Sequence, residues 1–209
     1  MRNVQVKICG LTSAEDAETV NRLRPDYAGI VLFYPRSKRS QTPAQARRLL
    51  AALHPSVRPI AVVVSPTEAE LEQIAALGFF AVQIHGAASD ELLERCPLPV
   101  WKAFQETELA DFDRYRRNPK ITGYVFDAAE PGSGKTFDWN RLEALPRDGR
   151  LRLLAGGLTP ENVAAAIAAA KPDGVDVSSG VEYRDGRPGK DAARVEAFLR
   201  AAGGEARSL

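Results

Sequence analysis

The chain has 209 residues, with 28 Lys and Arg against 27 Asp and Glu, so its formal charge at neutral pH is +1. So balanced a charge supplies no basic field for nucleic acid or an anionic lipid surface, and 44% hydrophobic with 26% charged residues excludes charge-driven disorder. Two cysteines, Cys9 and Cys96, exclude a disulfide-dense scaffold and fit a reducing cytoplasm, and no apolar run reaches the ~18 residues of a membrane span.

The elements alternate from end to end. Met1-Arg2-Asn3 leads into a strand at Val4–Cys9 without the apolar core of a signal peptide. Further strands are expected at Tyr27–Phe33, Ile60–Val64, Ala81–His85, Val100–Phe104, Tyr124–Phe126, Leu151–Ala155 and Gly174–Val177, each short and rich in Val, Ile, Leu or aromatics. Between and after them lie amphipathic stretches at Ser13–Leu23, Pro43–Leu53, Thr67–Leu77, Asp90–Arg95, Leu109–Arg116, Asp138–Leu145, Pro160–Ala169 and Asp191–Ala202. Thr42-Pro43 and Thr159-Pro160 read as a capping Thr followed by Pro at the first helical position, and Gly78 follows Leu77 where a helix should stop.

Strict strand–helix alternation implies right-handed crossovers and a parallel sheet. Eight units in 209 residues leave about 26 residues each, which suits one short (β/α)8 TIM barrel over residues 1–209. An open doubly wound sheet is the competing α/β arrangement, and it usually needs fewer strands. In the barrel, chemistry belongs at the C-terminal ends of the strands.

The first strand ends Val6-Lys7-Ile8-Cys9-Gly10, and period 2 places Lys7 and Cys9 on one face, toward the interior. Cys9 reads either as inert packing or as a base, because a neighbouring ammonium favours thiolate. After the second strand, Arg36-Ser37-Lys38-Arg39 is either a solvated loop or a receptor for an anionic substrate. The fourth strand ends at His85-Gly86, where the imidazole is equally compatible with structure and with binding. The sixth ends at Asp127, a candidate general acid if its surroundings raise its pKa.

Gly132-Ser133-Gly134-Lys135-Thr136 imitates the end of a nucleotide-binding P-loop, but Ala129 stands where that pattern wants Gly. A Gly-rich lid over the mouth is the preferred reading. The seventh and eighth strands run into Gly156-Gly157 and Ser178-Ser179-Gly180, two turns suited to cradling a phosphate, or simply two tight turns. Lys7, Arg36, Lys38, Arg39 and Lys135 together predict a cationic mouth in a balanced chain. The two His and two Cys are scattered without ligand spacing, so no metal is expected. An acid and a base across one phosphorylated sugar suggest proton-shuttling isomerisation.

Six motifs in order carry a resemblance over nearly the whole length: Val6-Lys7-Ile8-Cys9-Gly10, Ser37-Lys38-Arg39, Gln83-Ile84-His85-Gly86, Gly132-Ser133-Gly134-Lys135-Thr136-Phe137-Asp138-Trp139, Ala155-Gly156-Gly157-Leu158-Thr159 and Asp176-Val177-Ser178-Ser179-Gly180-Val181-Glu182. The chain resembles the phosphoribosylanthranilate isomerase family of tryptophan biosynthesis. That resemblance implies a cofactor-free Amadori rearrangement of N-(5-phosphoribosyl)anthranilate. Cys9 matches the base that removes the proton from sugar C2, and Asp127 the acid that protonates the ring oxygen. Arg39 matches the contact to the anthranilate carboxylate. His85 and Asp176 match positions at the mouth, and Gly156, Gly157, Ser178, Ser179 and Gly180 fall in the phosphate loops. Pro131 departs from the Gly-Gly of many relatives and is expected to stiffen that loop. A sugar-phosphate isomerase of histidine biosynthesis is expected to carry Asp where Cys9 stands; a non-catalytic phosphate-binding barrel is the other alternative. The expected partner is a small phosphorylated substrate, with no nucleic acid or membrane, and the chain is expected to work as a monomer or a homodimer.

Overall fold

The computed structural model describes residues 4–127, 142 and 145–203. The strands are β1 (Gln5–Cys9), β2 (Tyr27–Leu32), β3 (Ser40–Gln41), β4 (Arg58–Val64), β5 (Ala81–His85), β6 (Val100–Gln105), β7 (Ile121–Asp127), β8 (Leu151–Leu154) and β9 (Gly174–Val177). The helices are α1 (Ala14–Leu23), α2 (Pro43–Ala52), α3 (Glu68–Leu77), α4 (Asp90–Arg95), α5 (Phe112–Arg116), α6 (Val163–Ala170) and α7 (Ala192–Ala201).

Strand order is β1-β9-β8-β7-β6-β5-β4-β2-β3, and a further β1–β2 pairing closes eight parallel strands into a barrel. The two-residue β3 only extends the edge of β2. The expected (β/α)8 barrel is therefore the fold, and the open sheet is excluded by the β1–β2 ladder, in which Lys7 pairs with Tyr27 and Cys9 with Gly29.

Two apolar layers follow from period 2 along each strand. The inner one holds Tyr27, Ile60, Ala81, Trp101, Ala103, Val125, Leu153 and Ala155, with the Tyr27 and Trp101 rings edge-on at 4.8 Å. The outer one takes the alternate residues, among them Val6, Ile8, Val175 and Val177, and packs them under the helices. Thr42 caps α2 with Pro43 at its first position as expected, whereas the helix expected behind Thr159-Pro160 begins only at Val163, after a turn and with Asn162 at its N-cap. Thr42 and Thr67 each form a capping box, and Gly78 ends α3 in the left-handed conformation (φ 89°).

Some boundaries differ from the pattern. β7 begins at Ile121, three residues before the expected start, because Gly123 is a strand residue lying against the Trp101 indole. The stretch expected as one helix at Leu109–Arg116 is a 3-10 turn at Glu106–Asp111 followed by α5. Gly132–Thr136, Pro131 and most of the helix expected at Asp138–Leu145 lie outside the described residues.

The outer layer also holds charged residues, Lys102 among them. Lys102 alternates with Val100 and Phe104, and its Nζ lies 4.7 Å from the Phe104 ring centre and 4.9 Å from that of Tyr115 while donating to the Ala103 carbonyl. Burial lowers its pKa from 10.5 to about 8 despite Glu108 and Asp111. The charged form is thus disfavoured in the fold, a cost fully present below pH 8 and relieved as pH rises toward 10.5. Lys102→Met keeps the shape and removes the buried charge. It is expected to stabilise the protein by about 1–3 kcal/mol at pH 7, read as a higher thermal midpoint that converges on wild type near pH 10.

Candidate active site

All barrel strands point their C-terminal ends the same way, and a cavity of about 480 Å³ opens there. Of the residues singled out from sequence, Cys9, Arg39, His85, Asp127, Gly156, Gly157, Asp176, Ser178 and Ser179 all line it. Gln83, Gln105, Glu108 and Tyr34 line it too, and sequence reasoning missed them as lining residues. Period 2 carried the signal for Gln83, which shares the inward face with His85. A groove of about 640 Å³ at the opposite face, among Gln5, Arg150 and Asp173, contains none of the strand-end residues.

Adjacent strands place the central charges. β1 and β9 pair Lys7 with Asp176, and Lys7 Nζ donates to Asp176 Oδ2 at 2.8 Å, the ammonium being fully buried. Burial pulls the Lys7 pKa down, but the Asp176 carboxylate and the Cys9 sulfur outweigh it and the net shift is upward. The lysine is therefore a buried cation on β1, beneath the cavity, on the inward face expected for it.

The pull of Lys7 on Cys9 toward thiolate is opposed by the same surroundings. Burial pushes the Cys9 thiol up, Lys7 and Lys190 pull it down, and Asp176 pushes it up again, leaving a net upward shift. At neutral pH the resting residue is a thiol, and its ionised form is the minor species.

His85 is neutral. Burial, then the Lys7 and Lys102 charges, lowers it to about 3, and its Nε2 lies 2.8 Å from Gln83 Nε2. Because the folded pKa lies below the unfolded one, stability is present above pH 6.5 and declines as pH falls toward 3. The whole fall is worth about 5 kcal/mol, and the ring edge that opens on the wet cavity cuts this to about 2–3 kcal/mol. Urea midpoints across this range are expected to drop more steeply for wild type than for His85→Gln.

The loops after β8 and β9 are built against each other. Gly156 and Gly157 both take positive φ, 84° and 64°, which turns the chain back over the barrel. A Cβ on Gly180 would sit 1.9 Å from the Leu158 carbonyl oxygen, so the two loops touch backbone to backbone there. Arg194 at the start of α7 clamps the arrangement: its Nε and Nη2 donate to the Gly180 carbonyl at 3.0 and 2.8 Å, and it pairs with Glu161.

Arg39 lines the cavity, and its Nε donates to Glu182 Oε1 at 2.5 Å. Lys38 and the buried Lys190 reach the same carboxylate at 3.0 and 3.2 Å. Burial raises the Glu182 pKa, but these three cations overcome it and hold the group at about 2. Arg36 is exposed, and Lys135 lies outside the described residues. Among the described residues, no three His, Cys, Asp or Glu are grouped to hold a metal, and no helix is long and apolar enough to cross a membrane.

A closed parallel barrel with ionisable groups converging at its C-terminal mouth defines a TIM-barrel enzyme class. A family profile described as N-(5'phosphoribosyl)anthranilate (PRA) isomerase matches residues 6–201, and the chain belongs to that family. An N-(5'-phosphoribosyl)anthranilate isomerase of Hyphomonas neptunium is 41% identical over 209 residues, covering 95% of this chain and 96% of its own. One of Geobacter sulfurreducens is 39% identical over 206 residues, covering 96% and 99%. The crystal structure of phosphoribosyl anthranilate isomerase from Thermotoga maritima superposes with a TM-score of 0.81 at 36% identity, covering 96% of this chain and 98% of that one. A solved isomerase in complex with reduced 1-(o-carboxyphenylamino)-1-deoxyribulose 5-phosphate gives a TM-score of 0.79 at 34% identity, with coverage of 96% and 98%.

Proposed function

We propose that this chain converts N-(5'-phosphoribosyl)anthranilate to 1-(2-carboxyphenylamino)-1-deoxyribulose 5-phosphate, the isomerisation step of tryptophan biosynthesis. The observation that carries the reading is that Cys9 and Asp127 line one cavity together with Arg39 and two interlocked Gly/Ser loops. Those parts match the substrate: a carboxylate for Arg39, a phosphate for the loops, and a pentose between an acid and a base. Two buried acceptors, Gln83 Oε1 and Asp176 Oδ1, have no hydrogen-bond partner among the described residues, and a sugar supplies hydroxyl donors to them.

Asp127 protonates the furanose ring oxygen. The C1–O bond breaks as the amine lone pair forms C1=N. The Cys9 thiolate removes the C2 proton, and those electrons form C1=C2 while returning the C1=N pair to nitrogen. Protonation at C1 and loss of the C2 hydroxyl proton yield the ketone, so no electrons enter or leave. Lys7 supports the thiolate and Asp176 holds Lys7 in place. Gly156, Gly157, Ser178, Ser179 and Gly180 hold the phosphate, and His85 presents a neutral imidazole to the pentose. The whole 209-residue chain works as one barrel domain, as a monomer or homodimer, and its two free cysteines suit the cytoplasm. The test follows the fluorescent substrate, made in situ, after addition of purified protein. Catalysed decay supports the reading; tight binding of a product analogue without decay makes the chain a binding barrel instead.

A further inference from the structure

Glu182 stands outside the cavity lining, yet three cations converge on its carboxylate at the mouth. Its Oε1 receives Arg39 Nε at 2.5 Å and Lys190 Nζ at 3.2 Å, and its Oε2 receives Lys38 Nζ at 3.0 Å. Lys38 is 73% exposed and contributes little to order. Lys190 is different. Its ammonium is wholly buried, it also donates to the Ser178 carbonyl at 3.2 Å, and its backbone N–H donates to Asp16 Oδ1 at 2.6 Å. Asp16 in turn accepts from Thr12 in the loop after β1. Glu182 is thus tied to three separate segments of the mouth.

The Arg39 stem is confined from the other side. A Cβ on Gly10 would lie 2.5 Å from Arg39 Cδ and 3.1 Å from Ser178 Oγ, so the arginine passes closely over the backbone next to Cys9. A guanidinium recognises a carboxylate through a planar fork, which makes its orientation as important as its charge.

We infer that Glu182, anchored by the buried Lys190, is a positioning residue that fixes the Arg39 guanidinium over Gly10 and thereby sets the preference for a carboxylate-bearing ligand. The inference rests on the isomerase reading for the identity of that carboxylate. Glu182 touches no reacting atom. It holds Arg39 by its Nε edge, and an unheld Arg39 samples many rotamers and loses its planar fit.

The test is calorimetry with two probes, the reduced product analogue and the same compound lacking the ring carboxyl. Wild type is expected to prefer the carboxylated probe by about tenfold or more. Glu182→Gln should cut that preference to about twofold, leave the other probe within about threefold, and raise KM more than it lowers kcat. Lys190→Met should act in the same direction. On an Arg39→Met background, Glu182→Gln should change nothing further. Because Glu182→Gln strands a buried ammonium, the Glu182→Gln/Lys190→Met double variant, which removes both charges, carries the same test if the single variant does not fold. Equal weakening of both probes, or an effect that persists without Arg39, overturns the inference while leaving the isomerase intact. Wild type that binds neither probe overturns the isomerase reading as well.

Discussion

Cys9→Ala and Asp127→Asn are each expected to lower turnover by about 10²–10⁴-fold or more, the size of a lost general base or acid. Both side chains line the cavity at the ends of β1 and β7, and both changes are small in volume, so the fold should survive. Circular dichroism and the affinity for a product analogue should stay close to wild type while kcat collapses. The thiol adds a pH signature. Burial holds Cys9 above its ordinary pKa, so the ionised form is scarce at pH 7. Activity should therefore climb through the neutral range by about tenfold per pH unit until the thiol titrates. Alkylation of Cys9 by iodoacetamide should follow the same limb and be slowed by the analogue. A flat profile with unchanged rates in both variants removes these residues from the chemistry.

Gly180→Ala is expected to have the second-largest effect, through sterics alone. Gly180 is not among the residues with positive φ, so alanine fits its backbone conformation. The added methyl, however, meets the Leu158 carbonyl oxygen at 1.9 Å and its carbon at 3.0 Å. Neither loop can yield without breaking the Arg194 hydrogen bonds to the Gly180 carbonyl. A stability loss of about 1–3 kcal/mol follows from the overpacking. Because the loops after β8 and β9 part, the affinity for phosphorylated ligands should fall by about tenfold or more. Thermal unfolding and analogue binding read the two effects separately. A variant with wild-type values for both would mean that the loops are not braced against each other.

Period-2 alternation made the inward face of β1 legible: Lys7 and Cys9 turn in, and Val6 and Ile8 pack under the helices. The same alternation set Asp176 inward between Val175 and Val177. Three things stayed out of reach. β7 is expected only from Tyr124, while in the barrel it starts at Ile121 and its Gly123 makes room for Trp101. The Lys7–Asp176 and Lys190–Asp16 contacts join residues 169 and 174 positions apart, and no local pattern carries that information. The protonation state of Cys9 turned on burial. A neighbouring lysine argues for thiolate in the sequence, and the desolvation that opposes it exists only in the folded barrel.

The central claim is proton removal from sugar C2 by Cys9. Single-turnover decay of substrate carrying deuterium at C2, compared with protium, tests it most directly. A primary isotope effect in wild type, together with loss of turnover but retained analogue binding in Cys9→Ala, is the predicted result. Wild-type turnover in Cys9→Ala, with the isotope effect intact, would contradict it.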